Sequence, residues 1–361
     1  MKILHIANFN LLKTSGCSQN SMQVKLTNGL IRAGHTVVTY SDRDLCRLMG
    51  LTGRMNFWGR KKINKHLVKF ACNICPDIIM LGHADTIMTE TLKEIKKRLP
   101  SVKVIDWNVD NITQVPSADA RLNQDAAFTV QKLKNKQAVS DLILVTTADK
   151  RSLQQLKTDK NIVAFMPNIV DKSIETGRAF ECEQTSYDFL FAATPTLTRE
   201  FCGYFESVDK IAENIMMQVP SLKPLYAGVM GTPKIHADVY QKACESCAMG
   251  LSLSHLNSVY LYQSDRLSHL IGNGVLTFLD SASGYRDFFN DNEIAFYETP
   301  EELYQKILYY KVNPLKRMQV AKAGHDKYVS LFNEVTVAKY IIDILTNGSA
   351  DKNKYPWAVV L

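Results

Sequence analysis

Short apolar runs alternate with amphipathic helical stretches along this chain, break off, and then begin again. Ile3–Ala7, Thr36–Tyr40, Asp77–Leu81, Val102–Asp106, Leu142–Thr146 and Ile162–Phe165 have the length and composition of strands. One helix ends at Arg32-Ala33-Gly34, with Gly34 as its C-terminal cap; others span Thr86–Arg98, closed by Pro100, and Leu122–Val139. Strands alternating with helices predict a parallel sheet covered by helices on both faces. Pro167–Ser186 is polar and lacks apolar periodicity, so it reads as a linker. The pattern restarts with strands at Tyr187–Ala192, Leu222–Val229, Met249–Leu253 and Val275–Leu279 and a helix at His236–Ser246. Thr299-Pro300-Glu301-Glu302 is a helix start: Thr as N-cap, Pro at the first position, Glu completing a capping box. Asn313-Pro314 starts the next helix in the same way. The expected architecture is α/β: two doubly wound, Rossmann-like parallel-sheet domains, residues 1–168 and 187–333, facing across a cleft and joined by a linker at 169–186. A last helix near Glu334–Leu345 and a tail follow, and Trp357–Leu361 is apolar enough to dock on the body.

A length of 361 residues suits two domains. No apolar run approaches the roughly 20 residues that span a bilayer. The N-terminal MKILHIANFN alternates like a first strand rather than a signal peptide, which points to a cytoplasmic protein. Net charge is +7, and part of the excess is local. Arg54, Arg60, Lys61, Lys62, Lys65, His66 and Lys69 surround Phe57 and Trp58. Such a helix surface suits peripheral contact with an anionic membrane; the competing reading is a solvated face with both aromatics buried. Eight cysteines include the pairs Cys72/Cys75 and Cys244/Cys247, which lie in different halves of the chain and not at zinc-site spacing. They read as reduced, mostly buried residues, and neither a metal nor another cofactor is expected. No basic-aromatic sheet or recognised module points to nucleic acid.

Tyr262–Leu308 carries the chemistry. Asp265-Arg266 opens a helix that runs into Gly272 and Gly274 and then a strand. This order puts an arginine and a helix N-terminus at the carboxyl edge of a parallel sheet, where open α/β folds bind phosphorylated ligands. Asp265 and His269 are four apart and share a helix face. Gly274 allows a tight helix end and close backbone approach. His83 and Asp110 lie just beyond carboxyl ends of strands, and either would serve as a general base. Gly16 sits in the loop after the first strand.

These residues resemble the GT-B glycosyltransferases, specifically the CgeB-like group with a family-4-type C-terminal domain. Arg266–Gly274 is similar to that family's R-x-x-E-x-L-A-x-G, followed by Gly284-Tyr285, Asn290-Asp291-Asn292-Glu293 and Glu301-Glu302-Leu303. Pro76–Leu81, Asp106–Asp110 and Tyr187–Ala192 are similar to its strands. The resemblance implies a nucleotide-sugar donor in the C-terminal domain and a glycan or lipid-linked acceptor on the N-terminal one. It also implies that the last helix crosses back to the first domain. Tyr262, Asp265, Arg266, His269 and Gly274 would form the donor site. Arg199 would meet the diphosphate, with Lys234 in place of the usual lysine, Glu293 the sugar, and the Gly16 loop the donor phosphate or acceptor. One departure is His269, where the family has a glutamate that contacts ribose; a neutral histidine still makes one hydrogen bond to a hydroxyl. The implied function is sugar transfer in surface polysaccharide or lipopolysaccharide synthesis. The alternatives are a non-catalytic sugar-nucleotide-binding or maturation protein, or an epimerase or hydrolase on the same fold.

Overall fold

The computed structural model describes residues 1–14, 19–50, 55–194 and 198–361. The first domain holds β1 (Lys2–Ala7), α1 (Met22–Arg32), β2 (Thr36–Ser41), α2 (Asp42–Met49), α3 (Phe57–Ile74), β3 (Ile78–Gly82), α4 (Thr89–Arg98), β4 (Lys103–Asn108), α5 (Ala120–Gln137), β5 (Leu142–Val145), α6 (Lys150–Gln154) and β6 (Ile162–Phe165). Its six strands pair in the order β2-β1-β3-β4-β5-β6, all parallel, with Ile3 opposite both Val37 and Ile78. Ile78–Gly82 is buried throughout, as a central strand covered by helices on both faces must be.

The second domain holds β7 (Tyr187–Ala192), β8 (Arg199–Phe201), β9 (Tyr204–Glu206), α7 (Val208–Gln218), β10 (Pro224–Ala227), α8 (Ala237–Glu245), β11 (Cys247–Ser252), α9 (Arg266–Gly272), β12 (Leu276–Asp280), β13 (Ala295–Tyr297), α10 (Pro300–Val312) and α11 (Pro314–Phe332). The main sheet runs β10-β7-β11-β12-β13, again all parallel. β8 and β9 form a separate antiparallel hairpin. The chain therefore has two Rossmann-like domains, each with a parallel sheet whose strand order reverses beside its first strand.

The last helix, α12 (Glu334–Asn347), returns to the first domain and packs on α1. Tyr340 donates to the Phe165 carbonyl at 2.9 Å, and Trp357 is buried edge-on against Tyr340 with ring centres 4.3 Å apart. Beyond it the tail pairs with β6: Leu361 N–H donates to Val163 O at 2.8 Å, and Phe165 N–H to Val359 O at 2.9 Å. The final residues thus cover the edge of the first sheet.

Several local expectations need correction. The 169–186 stretch, read as a linker, holds buried charged residues. Asp171 and Glu175 are buried within it because they pair with Arg32 and Lys25 of α1. The helix expected from Thr86 starts at Thr89, since the Thr86 hydroxyl is held by Asp42 at 2.7 Å. Thr299 caps α10 as expected, accepting from Glu302 N–H. Asn313 makes no such cap; its amide donates to Tyr309 O at the end of α10 instead. Of the described cysteines, Cys46, Cys244 and Cys247 are buried, whereas Cys75 and Cys182 are exposed. Phe57 and Trp58 are 72% and 54% exposed, which removes the buried-aromatic reading of α3. Among the described residues no helix is long and apolar enough to cross a membrane.

Candidate active site

In open α/β sheets, ligands bind beyond the carboxyl ends of the strands where strand order reverses. Those points are β1/β3 in the first domain and β7/β11 in the second. A cavity of about 280 Å³ lies there. Asn20 and Ser21, which lead into α1, line one side; Thr194, after β7, with Lys234, His236, Tyr240, Asp265, Arg266 and His269 line the other. The Asn20 amide donates to Ala237 O at 3.4 Å and ties the two sides together.

Arg266 heads α9. Its guanidinium donates to Leu253 O at 2.8 Å and Ser264 Oγ at 3.1 Å, both neutral groups. Arg199, on β8, is buried and donates to His255 Nδ1 at 2.7 Å. Burial, with Arg199 and Arg266 nearby, drops the His255 pKa to about 3, so the ring is neutral and accepts. Burial and the Arg266 charge press the Arg199 pKa down to about 10. Arg266 lines the cavity, and Arg199, buried and not among the lining residues, lies close enough for the two positive charges to repel. An anion relieves that repulsion. α9 has only seven residues, so its dipole adds less than the expected helix-terminus contribution and the arginines carry the attraction.

His269 lines the cavity, but its Nδ1 is committed: Glu175 Oε1 lies 2.7 Å away. The same oxygen is 2.6 Å from Lys25 Nζ, which also donates to Ile169 O. Burial would raise the Glu175 pKa, but Lys25 and His269 outweigh it and hold the carboxyl below its ordinary value. The ring sits edge-on to Tyr240, and its Nε2 is 3.8 Å from Asp265 Oδ2. The residue in the glutamate position is thus fixed by a buried carboxylate from the interdomain stretch and a lysine from α1. Gly272 permits this arrangement, because a Cβ there would lie 2.7 Å from Glu175 Cγ.

His83 and Asp110 come together, with Nδ1 to Oδ2 at 3.5 Å. His83 has φ +47°, a rare conformation for a residue with a Cβ, and its ring is edge-on to Trp107. Burial lowers its pKa, with Asp110 opposing, so the imidazole is neutral near pH 7 and able to accept a proton. Tyr262, buried, feels the charges of Asp110 and of both arginines, but Tyr262, His83 and Asp110 are not among the residues that line the cavity. Burial pushes its phenol up, Asp110 adds to the shift, and Arg199 and Arg266 oppose it.

Other candidates lie elsewhere. Gly274 follows α9 with φ +73° and packs against Phe180, where a Cβ would approach to 2.4 Å; it is not on the cavity wall. Glu293 is tied to Lys327 of α11 at 2.9 Å and is also off the cavity. Gly16 lies outside the described residues. Sequence reasoning missed His255, Asn20, Lys25 and Glu175. His255 follows a strand end and was within reach of the same rule that found His83. The buried Lys25–Glu175 pair leaves no local signal.

Two facing Rossmann-like domains and a C-terminal helix that returns to the first define the GT-B type of fold. Consistent with that class, residues 221–343 match the family model described as glycosyl transferase-like. HepE of Anabaena, solved with UDP and glucose, is similar over 96% of this chain and 99% of its own, at 11% identity and a TM-score of 0.56. The trehalose-6-phosphate synthase OtsA is similar over 96% and 99%, at 10% identity and 0.58. AviGT4, a glycosyltransferase involved in avilamycin A biosynthesis, is similar over 99% of both chains, at 10% identity and 0.54. No curated protein matches the sequence.

Proposed function

We propose that this protein is a glycosyltransferase that binds a nucleoside-diphosphate sugar against Arg266 and Arg199 and transfers the sugar to a glycan or lipid-linked acceptor. The observation that carries the reading is Arg266, which lines the interdomain cavity while its guanidinium bonds the neutral Leu253 O and Ser264 Oγ. In the reaction, an acceptor hydroxyl oxygen bonds the anomeric carbon as the bond from that carbon to the diphosphate oxygen breaks. The nucleoside diphosphate leaves with the electron pair, and the arginines take up its charge without calling on a metal ion. His83 receives the acceptor proton; Asp110 faces Nδ1, leaving Nε2 for that task. The Nε2 edge of His269 offers one hydrogen bond to a donor hydroxyl. Because HepE was solved with UDP, UDP is the first nucleotide to test.

The CgeB-like assignment and a role in surface polysaccharide or lipopolysaccharide synthesis belong to this proposal and rest on the sequence resemblance. So does a cytoplasmic position beside a membrane, where lipid-linked acceptors are met. A thermal-shift panel of UDP, GDP, ADP and CMP tests the donor site, since binding to the folded state raises Tm by mass action. One nucleotide should shift it; silence from all four would sink the donor reading. Nucleotide release that requires acceptor separates a transferase from a binding protein or a hydrolase.

A further inference from the structure

We infer that the outer face of α3, with the neighbouring surface of α5, is a docking surface for an anionic lipid bilayer. Among the described residues, large apolar groups are exposed there. Phe57 is 72% exposed, Trp58 54% and Phe128, on α5, 61%. Phe57 and Phe128 border a groove of about 1010 Å³ that Ile87 and Met88 also line. Apolar groups of this size at one place on a surface mark a contact site.

The charges around them say what kind. Trp58, Lys61, Lys62, Lys65 and Lys69 fall at helical spacing on α3, and all five are exposed. Among the described residues, none of these lysines has a carboxylate within ion-pair distance. Across the groove, Lys132 sits over the Phe128 ring at 4.4 Å. Aromatics that sink to the headgroup level, framed by lysines that stay with the phosphates, are the arrangement of an interfacial helix. A protein partner fits less well, because protein interfaces are depleted in lysine. A second copy would set these lysines against each other.

The surface also has an orientation. Asp85 lines the groove, is held by Arg43 at 2.5 Å and by Lys132 at 3.4 Å, and acts on the charge of His83. A bilayer on this face therefore lies on the His83 side of the first domain. The inference does not depend on the donor reading, because its residues are apart from the arginine-lined cavity.

Tryptophan emission reads the contact directly. The chain has three tryptophans, and Trp107 and Trp357 are each 1% exposed, so Trp58 dominates any response to added lipid. Full-length protein is mixed with vesicles of phosphatidylcholine alone or with about one third phosphatidylglycerol, an anionic fraction ample for electrostatic attraction. The anionic vesicles should shift emission to the blue, co-float the protein, and release it in high salt. Phe57→Ser/Trp58→Ser and Lys61→Glu/Lys62→Glu/Lys65→Glu should each lower flotation by about tenfold or more while keeping the wild-type circular dichroism. Both sets replace exposed side chains, so folding is not at stake. Three results would overturn the inference: no flotation with anionic vesicles, equal binding to neutral ones, or lipid-free self-association that disappears in the Phe57→Ser/Trp58→Ser variant.

Discussion

Thr27 donates its hydroxyl proton to the Gln23 carbonyl at 2.8 Å, so its oxygen accepts from His5 Nδ1 at 2.9 Å. Trp107 Nε1 donates to the other ring nitrogen at 3.3 Å. His5 is thereby fixed as the neutral Nδ1–H tautomer, and burial drops its pKa to about 3. The sign follows from proton counting. Between about pH 6.5 and 3 the unfolded chain binds a proton at His5 that the folded chain refuses. That stability is present above the unfolded pKa and is lost as pH falls. His255, also lowered to about 3, acts in the same direction, while Asp106, buried and raised to about 6, acts against both. Replacing His5 with Gln should flatten the fall in unfolding free energy between pH 6 and 4 by about 1.4 kcal/mol per pH unit relative to wild type. Denaturant melts at a series of pH values measure this, and parallel curves would show that His5 is not the titrating group. The same proton accounting at the cleft makes His83 and His255 neutral, one as a candidate base and one as the acceptor that steadies Arg199.

α1 shows what an element's sequence reveals and what it conceals. Its end at Gly34 was legible, because a glycine after an amphipathic stretch is a C-terminal cap. Gly29, inside it, is a residue that on propensity alone weakens a helix. The structure supplies the reason: a Cβ at Gly29 would sit 2.1 Å from the Glu334 carbonyl oxygen, where α12 crosses α1. Gly29→Ala gains up to about 1 kcal/mol of helix propensity but must push two backbones apart. The clash wins, and we expect a net loss of about 1–3 kcal/mol in chemical denaturation. A neutral or stabilised variant would mean that the α1–α12 contact is looser than described. The strands were legible because burial on both faces leaves continuous apolar runs. The start of α11 at Asn313-Pro314 was legible too, although the Asn313 side chain turns back to Tyr309 O instead of capping; the start of α4 was not, because Thr86 is claimed by Asp42, 44 residues away.

For the whole molecule, two tandem α/β domains could be read from the repeated alternation of strands and helices, and the cleft from their facing carboxyl ends. What holds the domains in register could not. Lys25 of α1, Glu175 between the domains and His269 of α9 meet in a buried chain spread over most of the sequence. Arg32 joins Asp171 and Glu334 in the same way, at 2.6 Å to each. Pairs so distant in sequence exist only once the tertiary fold has formed. They place the residue that departs from the family pattern inside the interdomain lock, so His269 is both a cavity wall and a structural partner. The central claim is that Arg266 and Arg199 bind the diphosphate of a donor nucleotide in this cleft. Calorimetric titration of UDP, or of whichever nucleotide shifts the melting temperature, into wild type and Arg266→Met tests it most directly. The account predicts one site per chain in the wild type and affinity weaker by roughly 10- to 100-fold in the variant, as expected for lost charge-assisted hydrogen bonds. Stability of the free variant should stay close to wild type, because the lost guanidinium was bonded to neutral groups and repelled by Arg199. Undiminished affinity in a folded Arg266→Met protein would contradict it.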